Sequence, residues 1–371
     1  MQIYLDNAAT TQPMSGEALR RHMEDGWYNP SAAYASAEKV FIELKHIREA
    51  MGKALGMSGC AFTSGGTEAN NLAIRSAVKS GAHFVTSAVE HASVYGVFQQ
   101  LALEGAQVDF VEPRGYCVRA EDVAERVKEN TALVSVMHVN NETGALNDVR
   151  AVCAAVKAKN PSARFHSDGV QALLKTDTNL AGSGIDFYTV SAHKIHAFKG
   201  TGALLWAANT APRALLYGGE QEGGLRPGTE NTLGVQAFGE ALEAGLIRYE
   251  KNTAHIAALR DKLVAALAEI DGARLHIPER YVPHIVNVSF DGLRGEVLVR
   301  LLGEKGICVG TGAACSRGKV SRALLACGVP HSEAEGAVRI SMSSRNTETE
   351  IDILTEELRA AVGQLRRFGR K

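Results

Sequence analysis

The sequence predicts an α/β fold: a mostly parallel seven-stranded sheet flanked by helices, followed by a smaller α+β domain. Three observations carry this expectation. From about residue 60 to 207, short apolar runs alternate with helix-period segments, the βαβ rhythm of a parallel sheet covered on both faces. After Trp206 that rhythm stops, and a glycine-rich stretch leads into a long helical segment and a second group of strands and helices. The chain, at 371 residues, also exceeds the roughly 100–200 residues of one ordinary domain.

Taken in order, Val40, Leu44, Ile47, Met51 and Leu55 recur at helical spacing and set one apolar stripe against the sheet. The strand runs are Cys60–Thr63, His83–Thr86, Gln107–Val111, Leu133–His138, Arg164–His166, Ile185–Val190 and Gly202–Trp206. Residues 232–270 contain no proline and read as a long helix interrupted near Asn252. Ile285–Phe290 then reads as a strand, Glu296–Glu304 as a helix and Val338–Met342 as a strand. A capping box, Thr347-x-x-Glu350, opens a last helix that buries Ile351, Leu354, Leu358, Val362 and Leu365. Its basic end is a solvated helix terminus rather than a binding patch.

Composition excludes several classes of function. Hydrophobic residues at 45% and charged residues at 22% are those of an ordinary folded chain. Lys and Arg (40) nearly cancel Asp and Glu (41), so no overall field draws nucleic acid or an anionic membrane. The start, with Asp6 among its first residues, does not read as a secretory signal, and no apolar run approaches the ~20 residues that span a bilayer. Six cysteines without a C-x-x-C pair suggest neither a disulfide framework nor a metal site, and a reducing cytoplasm is the expected location.

Three short segments carry chemistry. Thr63-Ser64-Gly65-Gly66-Thr67 follows a strand and opens a helix, so backbone N–H groups and the Thr67 hydroxyl can hold a phosphate, although a plain strand-to-helix turn reads the same. Neither a P-loop nor a G-x-G-x-x-G fingerprint is present. Ser191-Ala192-His193-Lys194 stands at the edge where open α/β sheets bind ligands, and a lysine there can form a Schiff base, although most lysines are merely solvated. Asp168 ends the preceding strand, where a carboxylate can pair with a protonated pyridine nitrogen.

With these segments in order, the chain resembles the cysteine desulfurases of the class V aminotransferase group, fold type I pyridoxal phosphate enzymes. The likeness runs from Tyr4-Leu5-Asp6-Asn7-Ala8-Ala9-Thr10-Thr11 through Asn29-Pro30-Ser31, the glycine turn, Glu90-His91, His138 to Gly144, Asp168 to Gln171, Ser191 to Lys194 and Arg226 to Thr229. It ends with Gly312-Ala313-Ala314-Cys315 and Arg339. The resemblance implies a large cofactor-binding domain over 13–245 and a small domain over 246–371, joined by 1–12, that carries a catalytic cysteine loop. It implies that Lys194 holds pyridoxal phosphate (PLP) and shuttles protons, that His91 stacks on the ring, and that Asp168 pairs with the ring nitrogen. Gln171 and Asn141 would bond the phenolic oxygen or the substrate, and Gly66, Thr67, Ser191 and His193 would surround the phosphate, with Thr229 arriving from a second subunit of a homodimer. Asn7, Asn141 and Arg339 would receive the substrate, Arg339 pairing with its carboxylate.

Cys315 decides the expected reaction. It lies among small residues beside Arg317 and Lys319, which favour its thiolate. The implied chemistry is removal of sulfur from L-cysteine, leaving L-alanine and a persulfide on Cys315 for a sulfur-acceptor protein of iron–sulfur assembly or of tRNA or cofactor thiolation. Cys60, Cys117, Cys153 and Cys327 read as structural, and Cys308 as ambiguous. Tyr34, Ala37, Ala197, Phe198, Gly223 and a shorter segment after Cys315 depart from the family pattern, which leaves the acceptor open. The rival readings are a selenocysteine lyase or another PLP-dependent β-lyase, and, of another class, a catalytically silent scaffold.

Overall fold

The protein was analysed as a computed structural model that describes residues 2–14, 16–311 and 320–368. Its strands, in chain order, are β1 (Ile3–Tyr4), β2 (Gly59–Thr63), β3 (His83–Ser87), β4 (Gln107–Val111), β5 (Thr131–Ser135), β6 (Arg164–Asp168), β7 (Phe187–Ser191), β8 (Gly202–Trp206), β9 (Ala273–Leu275), β10 (Ile285–Phe290), β11 (Ile307–Cys308) and β12 (Val338–Ser341). Seven of them form one sheet in the order β2-β8-β7-β6-β5-β3-β4. Only β8 runs against its neighbours, so the expectation of a mostly parallel seven-stranded sheet holds. The apolar character of these strands follows from their position, since a sheet covered on both faces needs apolar side chains on each.

Reversal of β8 has a consequence for function. Because β2 and β7 both run opposite to β8, their C-terminal ends share one edge, and the register Thr63–Gly202–Ser191 aligns them. Asp168 pairs with Thr189 on the adjacent ladder, so the end of β6 joins the same edge. Three chain segments, ending at Thr63, Asp168 and Ser191, thus leave the sheet side by side.

Helices cover this sheet. Ala35–Leu55 buries Val40, Leu44, Met51 and Leu55 in the same apolar core as Phe62, Val85 and Val134, and Ile47 packs against that core half-buried. The opposite face carries Gly66–Ser76 and Ala92–Leu103, whose Leu72, Ile74, Phe98 and Leu101 pack with Phe84 and Leu133. A third core holds Ile3 and Leu5 with Leu263, Val288, Leu298, Ile340 and Leu354. It is built around the antiparallel sheet β12-β10-β9 and the parallel pair β1–β11.

Two boundaries differ most from expectation. The strand expected over Leu133–His138 is Thr131–Ser135; beyond it the chain stays buried while Val136 and His138 bond to the carbonyls of His166 and Asp168, and an apolar run reports burial rather than strand length. The long helix breaks at Arg248 rather than near Asn252, between Thr232–Ile247 and Tyr249–Ala268. The capping box closes as the sequence requires, with Thr347 N–H donating to Glu350 at 2.9 Å and Glu350 N–H to Thr347 Oγ1 at 3.2 Å. No helix among the described residues is long and apolar enough to cross a membrane.

Leu354 is fully buried on the last helix, Glu348–Phe368. Leu354→Ala is expected to destabilise this core by about 2–5 kcal/mol. Equilibrium unfolding in urea checks it, and an unchanged midpoint would contradict the packing.

Candidate functional site

At the shared strand edge lies a cavity of about 390 Å³. The turn after β2 contributes Gly66 and Thr67, the end of β6 contributes Asp168 and then Gln171, and the end of β7 contributes Ser191, His193 and Lys194. His91 enters from the start of Ala92–Leu103, Asn141 from the chain after β5, and Arg339 from β12. Ten residues singled out in the sequence therefore line one space. Cys315 lies outside the described residues. Asn7 and Thr229 do not line the cavity: Asn7 is buried with its amide donating to Ser341 O at 2.9 Å, and Thr229 is exposed on the loop after Trp206.

Local chemistry explains how each side chain is held. His91 is the N-cap of its helix, its Nδ1 accepting from Ser93 N–H at 3.2 Å, because the first backbone donors of a helix need outside acceptors. Lys194 ends a single 3₁₀ turn, and its Nζ donates to Ala8 O at 2.5 Å and Ala9 O at 2.7 Å. Gln171 Nε2 donates to the same Ala8 carbonyl at 2.8 Å. The N-terminal segment is itself laid down by Thr11, whose N–H and hydroxyl both donate to His193 O at 2.9 Å.

Arg339 is 1% exposed, yet its guanidinium is compensated by Asp6 at 2.8 Å and by Asn141 O at 2.8 Å. Nε has no partner among the described residues. Gly310 lies against this group, and a Cβ there would come within 2.8 Å of Asp6 and 3.1 Å of Arg339, so only glycine fits without displacing them. On the far side of residues 312–319, Ser321 Oγ donates to Glu142 and Arg322 to Glu90 O, with the Arg322 guanidinium 3.7 Å from the Tyr95 ring centroid.

Burial governs the titrating groups. It holds His91 below the ordinary imidazole value against the opposing pull of Asp168, and it pushes His193 down to about 4 with help from the Lys194 charge. Burial also pushes the thiols of Cys60, Cys153 and Cys327 up to about 12 and raises Cys117, so these four are poor nucleophiles. Cys327 is only half-buried.

The lining fits a phosphorylated pyridine. Ser191 Oγ is buried without a partner among the described residues, beside Gly66, where a Cβ would meet Val170 at 2.9 Å, so the backbone is bare where a phosphate needs close approach. Asp168 accepts from Val170 N–H at 3.0 Å and from Asn70 Nδ2 at 2.8 Å and still lines the cavity. Sequence reasoning missed Asn70 and Ser93, which line it too. Asn70 stands one helical turn after Gly66 and Ser93 two residues after His91, and that spacing was the signal available.

Comparison with known proteins finds relatives over nearly the whole chain. The family model for aminotransferase class V matches residues 3–354. The chain is 35% identical to the cysteine desulfurase IscS of Clostridium botulinum, over 98% of this chain and 95% of that one. It is 36% identical to the cysteine desulfurase NifS of Azotobacter vinelandii, over 98% and 93% respectively. A solved structure described as a NifS-like protein superposes with a TM-score of 0.92 at 32% identity, covering 98% of this chain and all of the other.

Glu90, beside His91, is buried with one oxygen accepting from Ser87 Oγ at 2.5 Å and Met137 N–H at 2.8 Å. Burial, reinforced by Asp168, pushes its carboxyl from 4.5 up to about 8. Between those values the folded protein keeps a proton that the unfolded chain releases, so stability falls as pH rises through the window. Glu90→Gln is expected to remove this slope. Denaturation of both proteins at pH 5 and pH 8 checks it, and parallel pH dependences would refute it.

Proposed function

The chain belongs to the class V aminotransferase family, and from that premise we propose that it is a PLP-dependent cysteine desulfurase. The observation that carries the reading is the convergence of Lys194, Asp168, His91 and Arg339 on one cavity of about 390 Å³ with a bare glycine turn at its end. Curated relatives named cysteine desulfurase, matched over nearly their whole length, support the same activity.

In that cavity PLP supplies an aldehyde that condenses with amines and a ring that withdraws electrons from bonds at the substrate's Cα and Cβ. Lys194 Nζ would be the amine that holds it, and the same amine would serve as the base for the substrate's Cα proton. Asp168 holds a proton on the ring nitrogen, which keeps that ring electron-poor. The Arg339 guanidinium, already held by Asp6 and Asn141 O, receives the substrate carboxylate, and this sets the amino group toward Lys194. His91, with burial opposing its charge, serves as a neutral acid–base group against the ring.

Cys315 is the proposed sulfur acceptor. Its thiolate attacks Sγ of the substrate cysteine, the Cβ–Sγ bond breaks, and a proton returns to Cβ, so L-cysteine and one thiol give L-alanine and one persulfide. Two things support Cys315 for this part. Burial disfavours the thiolate at four of the other cysteines. The residues flanking its segment, Gly310 and Ser321, pack on Arg339 and Glu142 beside the cavity wall. The persulfide then passes to an acceptor protein.

We assign 13–245 to a cofactor-binding domain and 246–371 with 1–12 to a small domain, supported by the separate core that holds Ile3 and Leu5 with Leu263 and Leu354. A homodimer is part of the reading. Exposed Trp27, Tyr34, Phe41 and Tyr217 supply apolar surface for it, and an exposed Thr229 outside its own cavity is free to serve a partner's. The free thiols of the five described cysteines accord with a reducing cytoplasm.

Cys315→Ser should bind PLP and L-cysteine yet release alanine at background rate, because its hydroxyl cannot take sulfur as a persulfide. Mass spectrometry should find one added sulfur on the wild-type Cys315 peptide. Alanine release at the wild-type rate by the variant, with no persulfide on the wild type, would replace this reading with that of a lyase. Mixed subunits supply a second check: inactive Thr229 and Lys194 variants, exchanged together, should regain partial activity, whereas a fully active monomer would remove the shared site.

A further inference from the structure

Asn70 is fully buried in Gly66–Ser76, and no role above belongs to it. Its Nδ2 donates to Asp168 Oδ2 at 2.8 Å and to Ser93 Oγ at 2.8 Å. The reverse orientation of the amide would set its oxygen against the Asp168 carboxylate, so that carboxylate fixes which way the amide points. Ser93 Oγ, accepting from Asn70, turns its own hydrogen to His91 Nδ1 at 2.8 Å, and Ser93 N–H points at the same nitrogen from 3.2 Å. A ring nitrogen facing two donors keeps its lone pair. A neutral His91 therefore carries its proton on Nε2.

We propose that Asn70 is a positioning residue that couples Asp168 to His91, holding the carboxylate in place with one amide hydrogen and setting the imidazole tautomer with the other, through Ser93. The inference rests on the reading of the cavity as a PLP site and deepens it: the group expected at the ring nitrogen and the group expected against the ring face are not independent. No other side chain of similar size does both. Aspartate lacks the donors and sets a second carboxylate against Asp168, serine has one hydrogen for two acceptors, and leucine has none. Because Asn70 Oδ1 has no partner among the described residues, a leucine, with the same branching and number of side-chain heavy atoms, removes an unpaired polar atom as well as the two bonds.

The test compares PLP binding by wild type, Asn70→Leu and Ser93→Ala, with visible absorbance followed against pH and the melting temperature of each apoprotein as control. Asn70→Leu should weaken PLP affinity by about tenfold or more, and shift the pH midpoint of the bound cofactor's absorbance, while the apoprotein melts near the wild-type temperature. Ser93→Ala, which keeps the Asn70–Asp168 bond, should lose less affinity than Asn70→Leu and still move the midpoint. Wild-type affinity and midpoint in Asn70→Leu would overturn the proposal. Should that variant fail to fold, an unmoved midpoint in Ser93→Ala would overturn the coupling by itself. A wild type that takes up no PLP overturns the reading of the cavity and this inference together, whereas a wild type that binds it beside an unaffected Asn70→Leu overturns this inference alone.

Discussion

A buried guanidinium is among the costliest groups to leave uncompensated, and the arrangement around Arg339 answers that constraint. Asp6 comes from the N-terminus, Asn141 O from the chain after β5, and the backbone of Gly310 pairs with that of Arg339 in both directions. Three chain segments are thereby fixed to the one residue that carries this charge. The N-terminal segment held at Asp6 continues along the cavity, where its Ala8 and Ala9 carbonyls take the Lys194 amine and Gln171. Loss of the Asp6 contact would loosen the wall that orients the lysine.

The sheet supplies the other half of the site. Parallel-sense strands end along a single edge, and the turns that follow them bring a lysine, an aspartate and a bare glycine turn together without any of them contacting another in sequence. Helix starts at Gly66 and Ala92 add backbone donors at the same edge. In such a place burial and the neighbouring charges together set the titrating groups. His193 and Glu90 are pushed toward their neutral forms, and Asn70 and Ser93 route hydrogen bonds between the charges that remain.

Cysteine usage follows the same logic. A thiol inside a strand or helix gains packing and loses reactivity, as Cys60 and Cys153 do. Transfer of sulfur to a second protein needs the opposite, a thiol carried where it can meet both substrate and acceptor.

Much of this was legible in the sequence because local rules wrote it. Alternating strand and helix periods gave the seven strands, the spacing of Val40, Leu44, Met51 and Leu55 gave the helix face, and Thr347 with Glu350 gave the cap. Ordered short motifs named ten residues of the cavity wall, since strand ends and turns carry chemistry in recognisable residue types. Tertiary structure alone decided the rest. The reversal of β8 that aligns Thr63 with Ser191, the burial of Asn7 away from the cavity and the Asn70–Ser93–His91 chain depend on which segments meet. Sequence spacing records the neighbours of a residue along the chain; hydrogen bonds and the field of a buried charge act through space, between residues that only the folded packing brings together.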